Sequence, residues 1–171
     1  MILLKKFLKL KNNMKRVSEV GDIFNSKADI IAHQVNSCGV MGSGIAKQVR
    51  DKFPRVWLKY RKSYEDKLLK PGTCQVVETE EGSGRYIANL CGQTNFGYDG
   101  GRYTNYESIY SALEKLANYC KENDIKSVAF PYHMSCDRGG AKWKIINAMI
   151  ESVFEDNDNI RVEVWIYSDK V

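Results

Sequence analysis

Two segments of the chain place a histidine and a glycine-rich loop between an apolar run and a helix-like segment. The first reads IIAHQVN-SCGVMGSG-IAKQV from residue 30, and the second reads VAFPYH-MSCDRGG-AKWKII from residue 128. Backbone N–H groups at a helix start lack helical partners and favour anions, and glycine lets a phosphate approach the backbone closely. Imidazole exchanges protons near neutral pH. Two such loops predict a diphosphate site, whereas a single one is explained equally well by a tight strand-to-helix turn.

Familiar nucleotide-binding motifs do not fit the first of these loops. Gly39 and Gly44 have the spacing of a P-loop, but Ile45 stands where the phosphate-binding lysine would follow. Gly42 and Gly44 begin a G-x-G pattern, but Lys47 occupies the third glycine position. The sequence therefore argues against an NTPase, a kinase and an NAD-dependent oxidoreductase.

The same loops contain residue types that can bind zinc or act as nucleophiles. Two histidines with two cysteines can form a tetrahedral zinc site, and here they would be His33, Cys38, His133 and Cys136. The pairs lack the tight spacing of zinc ligands, and small cysteines in loops are commonly inert. We therefore expect no metal ion and no cofactor.

The composition is that of one globular domain from a reducing compartment. A chain of 171 residues with 43% hydrophobic and 27% charged residues can bury a full core without disulfides. Its five cysteines are odd in number and include no C-x-x-C pair, which favours free thiols and a cytoplasmic location. The net charge of +5 attracts anions weakly but falls short of a nucleic-acid-binding composition.

Residues 1–14, MILLKKFLKLKNNM, form a basic extension in front of this domain. Lysines interrupt each apolar run, so neither a signal peptide nor a membrane span is predicted. Three interpretations stay open: a mobile extension, a translation start assigned upstream of Met14, or a basic amphipathic helix on a membrane surface. We expect no membrane partner for the domain itself.

From residue 15 onward, short apolar runs alternate with segments of helical period. Strands are predicted at KRVSEV, ADIIAHQVN, TCQVVETE, RYIANLCG, SVAFP and IRVEVWIY, the first two central in the sheet and the next two paired like a hairpin. Helices are predicted at GIAKQVRDKF, RVWLKYRKSYEDKL, YESIYSALEKLANYCKEN and KWKIINAMIESVFED. Helices between strands predict a layered α/β fold, whose ligands collect beyond the carboxyl ends of the strands. Both glycine loops fall there.

Four motifs, in this order, resemble the macrodomain, an ADP-ribose-binding α/β/α module. They are GDIF at 21–24, IAHQVN at 31–36, GVMGSGIAKQVRDKFP at 39–54 and the frame P-x4-C-x-x-G-G-x-x-W at 131–143. The resemblance extends over about residues 15–167 and looks closest to the branch related to ADP-ribose 1''-phosphate phosphatases. It implies a three-layer α/β/α macrodomain over residues 15–171, with a central mixed sheet of about six strands.

The resemblance implies which residues bind ADP-ribose. Asp22 would accept a hydrogen bond from the adenine amino group beside the backbone of Ile23, although an aspartate there could also cap the turn after the first strand. Asn36 would bind the distal ribose, and Tyr167 would lie beside adenine or simply complete the core. Ribose and phosphates would contact Gly42, Ser43, Gly44 and Ile45 in the first loop and Ser135, Cys136, Arg138, Gly139 and Gly140 in the second.

Catalytic residues are also implied by the resemblance. In the phosphatase-like branch a histidine at the end of this strand is implicated in catalysis, which is the position of His33; a structural histidine bonded to a loop carbonyl is the alternative. The second loop usually reads close to GCGLAGGDW but here reads SCDRGGAKW. Asp137 could partner His33 in catalysis and Arg138 could clasp a phosphate, or both could be solvated loop charges.

A neighbouring branch of macrodomains removes ADP-ribose from proteins with a lysine after the fourth strand and an aspartate in the second loop. Gln93 and Gly139 stand at those positions in this sequence. The lysine mechanism is therefore not predicted, while binding of ADP-ribosylated macromolecules is not excluded.

Three function classes follow from the resemblance. The first is hydrolysis of ADP-ribose 1''-phosphate to ADP-ribose and phosphate, with loop amides stabilising the charge that develops. The second is a module that binds ADP-ribose on proteins or nucleic acid without chemistry, and the third is an ADP-ribosyl hydrolase acting through other residues. The expected partners are ADP-ribose, its 1''-phosphate and ADP-ribosylated macromolecules, and the expected state is a monomer.

Overall fold

The apolar runs of the sequence form one mixed sheet in a computed structural model, which describes residues 16–157 and 159–168. The predicted extension at 1–14 lies outside the described residues, as do residues 15 and 169–171. The strands are β1 Arg16–Val20, β2 Ile30–Asn36, β3 Cys74–Glu78, β4 Tyr86–Gln93, β5 Ser127–Pro131 and β6 Arg161–Ile166. These six strands agree with the predicted ones.

The described strands follow the order β1-β6-β5-β2-β4-β3 across the sheet. Each neighbouring pair among them is parallel except β3 with β4, which is antiparallel as the hairpin pattern predicts. The prediction of two central strands is right for β2, which lies between β5 and β4, and wrong for β1, which forms an edge. β1 pairs with β6 and carries only half-buried and exposed residues, because an edge strand leaves one side open to solvent.

Helices cover both faces of this sheet. On one face lie α1 Gly44–Lys52 and α2 Pro54–Glu65, and on the other lie α3 Tyr106–Glu122 and α4 Trp143–Phe154. Each fully buried aliphatic or aromatic side chain stabilises the fold by about 1.5–3 kcal/mol. The layer under α1 and α2 includes Ile31, Val49, Val56, Tyr60 and Ile87, and the layer under α3 and α4 includes Ile30, Leu90, Leu113, Ile146 and Phe154. The predicted three-layer α/β/α fold is confirmed.

Local signals start the helices where the sequence predicts them. Pro54 occupies the first turn of α2, where its missing N–H group removes no helical hydrogen bond. Asn105 caps α3, and its Oδ1 accepts a hydrogen bond from the backbone N–H of Ser108 at 2.8 Å. None of the helices in the described ranges is long and apolar enough to cross a membrane.

Three loops meet at one edge of the sheet because β2, β4 and β5 are parallel and neighbouring. The first loop, residues 37–43, follows β2 and leads into α1. The second loop, residues 132–142, follows β5 and leads into α4. The third loop, residues 94–105, follows β4 and leads into α3. The carboxyl ends of these strands thus present both loops in which the sequence predicts a ligand site, together with a third loop that it did not single out.

Candidate functional site

A cleft lies between these three loops. Its lining includes several residues that the sequence did not single out as ligand contacts, among them Gln34, Gln93, Phe96, Tyr98 and Tyr132. It also includes the predicted residues Asn36, Gly42, Ser43, Gly44, Ile45, Ser135, Cys136, Asp137, Arg138 and Gly139. The structure therefore brings both predicted loops together around one site.

Asn36 shapes the first loop through its side chain. Its Oδ1 accepts hydrogen bonds from the backbone N–H groups of Cys38 at 3.1 Å and Val40 at 3.2 Å, and its Nδ2 donates to the carbonyl oxygen of Val40 at 2.7 Å. The hydroxyl of buried Tyr60 donates to the carbonyl oxygen of Asn36 at 2.7 Å. An asparagine can do this because its amide carries both donors and an acceptor. The loop is thus ordered by the protein's own hydrogen bonds.

Gly39 explains why the first loop needs a glycine at its start. Its φ is +72°, and an added Cβ would lie 2.6 Å from the ring of Tyr64. Arg61 donates a hydrogen bond from Nη1 to the carbonyl oxygen of Gly39 at 3.0 Å. The tight-turn interpretation therefore applies to this glycine, which lets the loop pack against α2.

The N-terminus of α1 opens into the cleft. Ser43 is its N-cap but makes no side-chain capping bond, and Gly44, Ile45 and Ala46 line the cleft. The first N–H groups of a helix have no partner within it and point beyond its N-terminus. Together with the helix dipole they favour a bound anion at this position.

The second loop adopts a strained backbone conformation. His133 and Ser135 have φ values of +60° and +70°, a region that residues with a Cβ rarely adopt. Backbone hydrogen bonds hold this shape, from Cys136 N–H to the His133 carbonyl at 2.9 Å and from Ala141 N–H to the Ser135 carbonyl at 3.0 Å. The hydroxyl oxygen of Ser135 is buried and has no hydrogen-bond partner among the described residues. A buried hydroxyl without a partner in a cleft lining is where a polar ligand atom would be stabilised.

A chain of hydrogen bonds ties the second loop to β2 and β4. Gln34 donates from Nε2 to Gln93 Oε1 at 2.6 Å and to Thr104 Oγ1 at 2.9 Å. Thr104 donates from Oγ1 to the carbonyl oxygen of Ser135 at 3.1 Å and from its backbone N–H to the carbonyl oxygen of Gly139 at 2.9 Å. We call Gln34, Gln93 and Thr104 the polar latch. It anchors the second loop at Ser135 and at Gly139, in the middle and at the end of the segment that lines the cleft.

Gly139 must be a glycine because the polar latch lies against it. An added Cβ would lie 2.2 Å from Thr104 Oγ1 and 2.3 Å from the carbonyl oxygen of Ser135. An aspartate at this position, as in the neighbouring branch of macrodomains, would not fit the loop as it is built here. The glycine at position 139, where the neighbouring branch has an aspartate, therefore has a structural reason.

The structure corrects the predicted catalytic role of His33. Residues alternate between the two faces of a strand, and His33 is fully buried on the face toward α1 and α2, with its Nε2 2.7 Å from Asn89 Oδ1. Burial lowers the pKa of His33 to about 4, although the hydrogen bond to Asn89 opposes this shift. An enclosed neutral imidazole cannot reach a substrate in the cleft or pair with exposed Asp137. The structural interpretation applies instead, with Asn89 rather than a loop carbonyl as partner.

The charges of the second loop lie at the rim of the cleft. Asp137 and Arg138 are both exposed, and both line the cleft. The guanidinium carbon of Arg138 lies 4.2 Å from the centroid of the Tyr98 ring. Both charges are therefore solvated and accessible to a ligand.

Four predicted ligand residues lie outside the cleft lining. Asp22 and Ile23 begin a 3₁₀ turn, in which Asp22 Oδ1 accepts a hydrogen bond from the backbone N–H of Phe24 at 2.9 Å. The capping role of Asp22 is confirmed, and its adenine contact stays a prediction. Gly140 follows the lining residues of the second loop, and Tyr167 is 72% exposed just past β6, so it does not complete the core.

The cysteines are free thiols. Burial raises the pKa of Cys74, Cys91 and Cys120 to about 12 and that of Cys136 to about 11. These four side chains are protonated near neutral pH, which makes them weak nucleophiles. Within residues 16–157 and 159–168 there is no group of three or more histidine, cysteine, aspartate or glutamate side chains placed to hold a metal ion.

Sequence reasoning missed Gln34, Phe96 and Tyr98. Gln34 carries the same signal that drew attention to its neighbours, a polar residue inside a buried apolar run. Phe96 and Tyr98 lie in the segment NFGYDGGRYTN, which has neither strand nor helix period. The signal that could have found them is the presence of aromatic residues in a polar loop directly after a predicted strand.

Two named relatives are similar in sequence. The chain is 29% identical over 146 residues to the human ADP-ribose glycohydrolase OARD1, covering 85% of this chain and 87% of that protein. It is 28% identical over 155 residues to the DNA ADP-ribosyl transferase-DNA ADP-ribosyl glycohydrolase fusion protein of Thermosipho africanus, covering 84% of this chain. The chain spans only 39% of the length of that fusion protein.

Solved structures share the fold. The macrodomain of Mycobacterium tuberculosis DarG matches with a TM-score of 0.80 at 24% identity, covering 91% of this chain and 99% of that chain. The family model of the Macro domain matches residues 32–150, a range that contains all three loops of the cleft. The resemblance seen in the sequence is confirmed, and the chain belongs to the Macro domain family.

Proposed function

We propose that the cleft binds ADP-ribose and that the protein hydrolyses the bond joining the distal ribose to a macromolecule. The observation that carries this proposal is that the open N-terminus of α1 and the backbone of the second loop line the same cleft. A diphosphate between them would receive N–H groups from both sides. The relatives support ADP-ribose as the ligand, since one is named an ADP-ribose glycohydrolase and the other contains a DNA ADP-ribosyl glycohydrolase.

In this proposal adenine lies at the end of the cleft near β6. Tyr132, which lines the cleft, donates its backbone N–H to the carbonyl oxygen of Trp165 at 2.8 Å. Gly21 donates its N–H to the carbonyl oxygen of Ile166 at 2.9 Å. These bonds hold the start of the second loop and the turn at Asp22 against the same strand end. Asp22 uses Oδ1 for the turn, and its Oδ2 would accept the adenine amino hydrogen.

The distal ribose then lies toward the ends of β2 and β4. Asn36 Nδ2 carries two hydrogens, of which one goes to the carbonyl oxygen of Val40. The other would go to a ribose hydroxyl. The buried hydroxyl of Ser135, which has no partner in the described part of the chain, would bond a phosphate oxygen. The Asn36 amide is already held by its hydrogen bonds to the first loop, which lowers the ordering cost of binding.

Hydrolysis needs a water molecule and a group that accepts its proton, and we assign this role to Asp137. It is the carboxylate exposed in the cleft lining. The water oxygen forms a bond to C1'' of the ribose while the bond from C1'' to the acceptor breaks. The electron pair leaves with the acceptor, Asp137 takes the water proton, and solvent protonates the acceptor. Among the described residues that line the cleft there is no lysine, so this route differs from the lysine mechanism of the neighbouring branch.

Removal of phosphate from ADP-ribose 1''-phosphate is a second candidate, as the resemblance implies. Arg138 favours it, because an exposed guanidinium at the cleft can bind a terminal phosphate with two parallel hydrogen bonds. Water would attack phosphorus, and the ribose oxygen would leave with the electron pair and gain a proton. His33 has no part in this route.

The test compares a single-stranded oligonucleotide carrying ADP-ribose, an ADP-ribosylated protein and ADP-ribose 1''-phosphate as substrates. We expect release of ADP-ribose from a macromolecule, slowed by about 10²–10⁴-fold in Asp137→Asn, the usual range for general acid–base groups. Asp66→Asn removes an exposed carboxylate at the end of α2 and serves as the matched control. Phosphate release alone would favour the second candidate. Binding of ADP-ribose without turnover of any substrate would contradict hydrolysis and leave a binding module.

A further inference from the structure

Two exposed aromatic rings line the cleft on the third loop. Phe96 is 42% exposed and Tyr98 is 69% exposed. Aromatic side chains contribute most when they are buried, so rings left open together inside a cleft indicate a surface that a ligand covers. The proposed contacts to adenine, ribose and diphosphate do not use either ring.

The rings stand where the distal ribose would leave the cleft. The third loop leaves β4 beside the first loop, because the N–H of Ser37 donates to the carbonyl oxygen of Gln93 at 3.0 Å and Cys38 Sγ donates to that of Thr94 at 2.9 Å. The adenine end lies near β6, across β5 and β2 from this position. A group attached to the distal ribose would therefore pass Phe96 and Tyr98.

Hydrogen bonds and close packing hold the third loop in shape. Asp99 Oδ1 accepts hydrogen bonds from the N–H of Gly101 and the hydroxyl of Tyr103, both at 2.9 Å. An added Cβ on Gly97 would lie 2.0 Å from the hydroxyl oxygen of Tyr103, so a larger residue there would displace the Tyr103 ring that packs against the loop. Because the loop is closed on itself, stacking a ligand on these rings requires little further ordering.

Arg138 brings a positive charge to the same surface from the second loop. Its guanidinium lies over the Tyr98 ring at 4.2 Å, which is a cation–π contact. Aromatic faces beside a cation are what proteins use to bind single-stranded nucleic acid, because bases stack on the rings and the cation meets the backbone phosphate. The surface offers both features within one contact.

We propose that Phe96 and Tyr98 form a subsite for the nucleobase to which ADP-ribose is attached in a single strand of nucleic acid, with Arg138 beside the adjoining phosphate. This inference rests on the proposed function and names its acceptor. A nucleobase has a planar face that stacks on an aromatic ring. The carboxylate and hydroxyl acceptors of a protein have no such face and would leave both rings uncovered.

The test measures affinity in the Asp137→Asn background, so that the linkage to ADP-ribose stays intact. The two probes are free ADP-ribose and a short single-stranded DNA carrying one ADP-ribosylated base. We expect the oligonucleotide to bind about 10-fold more tightly than free ADP-ribose, the smaller effect of one stacked base. Tyr98→Ala should remove most of this gain and change the Kd for free ADP-ribose by less than about twofold, whereas Tyr98→Phe should keep the gain because the ring remains.

Leu58→Ala is the matched control, since Leu58 is 65% exposed on α2 and lies outside the cleft lining. It should leave both affinities unchanged. Equal losses for both probes in Tyr98→Ala, or no loss for either, would overturn the inference. An ADP-ribosylated peptide that loses as much affinity as the oligonucleotide would overturn the choice of a base as acceptor. Unmutated protein that binds neither probe would instead overturn the proposed function, and the subsite with it.

Discussion

Replacing Thr104 with valine should loosen the second loop and weaken ADP-ribose binding while the fold persists. The change keeps the branched shape of the side chain but removes the hydroxyl. The hydrogen bond from Gln34 Nε2 at 2.9 Å and the one to the Ser135 carbonyl at 3.1 Å are then lost, together with a longer contact to Gln34 Oε1 at 3.4 Å. The backbone N–H at position 104 still reaches the carbonyl oxygen of Gly139, so the loop keeps one of its anchors.

The size of the effect follows from the partners that remain. Gln34 Nε2 keeps Gln93 Oε1 at 2.6 Å, and the Ser135 carbonyl keeps the N–H of Ala141 at 3.0 Å. Gln34 Oε1 loses its 3.4 Å contact with the Thr104 hydroxyl but belongs to a half-buried side chain, so the loss falls at about 1–2 kcal/mol, the lower part of the range for hydrogen-bonding groups left without a partner. This loss destabilises the strained conformation of the second loop, and ligand binding must then restore that conformation. The Kd for ADP-ribose should therefore rise by about 5–30-fold, the factor that 1–2 kcal/mol represents.

Two measurements check this prediction. Calorimetric titration gives the Kd for ADP-ribose, and amide hydrogen exchange of the ligand-free protein should be faster at residues 135–141 in Thr104→Val. Gln75→Leu is the matched control, because Gln75 Nε2 donates to Ser63 Oγ at 2.7 Å and to the Lys59 carbonyl at 3.1 Å, toward α2 and away from the cleft. It should lower the melting temperature without changing loop exchange or Kd.

The outcome that refutes this reasoning is a Thr104→Val protein with unchanged affinity and unchanged exchange in the second loop. Equal weakening of ADP-ribose binding in Gln75→Leu would also refute it. In that case affinity would follow overall stability, and the polar latch would have no particular role in positioning the second loop.

Three further changes test other parts of the structure. Asp22→Ala should weaken ADP-ribose binding by about 1–3 kcal/mol in calorimetry, and unchanged affinity would contradict the adenine contact. Because burial lowers the pKa of His33 from 6.5 to about 4, the unfolded chain binds a proton in that window that the folded chain does not. The free energy of unfolding should therefore fall by roughly 3 kcal/mol as the pH drops from 6.5 to 4. Urea unfolding of His33→Gln should lack this part of the pH dependence, and an unchanged slope would argue against a neutral buried imidazole. Gly139→Ala should destabilise the protein by about 1–3 kcal/mol, as overpacking does, and full stability in urea would show that the loop does not approach Thr104 closely.

The elements of this fold could be predicted because their signals are local. The nearly continuous apolar run of β2 indicates a strand buried on both faces, and Ile30 and Ile31 do enter the two opposite layers of the core. The edge position of β1 could not be predicted in this way. It depends on pairing with β6, which lies at the other end of the described chain. A local sequence pattern does not show which distant strand will be the partner.

The site was predictable to the extent that it consists of loop backbone. Glycine spacing and the helix starts located both loops, but the pattern could not tell which polar side chain of β2 reaches the cleft. His33 is buried against Asn89, whereas Gln34, Val35 and Asn36, which are nearer the end of the strand, line the cleft. How far along β2 the cleft begins depends on how the loops and helices pack around the strand end, which no local pattern reveals.

The central claim is that two loops bind ADP-ribose across one cleft, and calorimetric titration of the unmutated protein with ADP-ribose tests it most directly. We predict saturable binding at one site per chain and a melting temperature that rises with ADP-ribose concentration, because a ligand of the folded state stabilises it. AMP should bind more weakly, since it lacks the second phosphate and the distal ribose. Absence of binding heat at millimolar ADP-ribose, with no shift in melting temperature, would contradict the account.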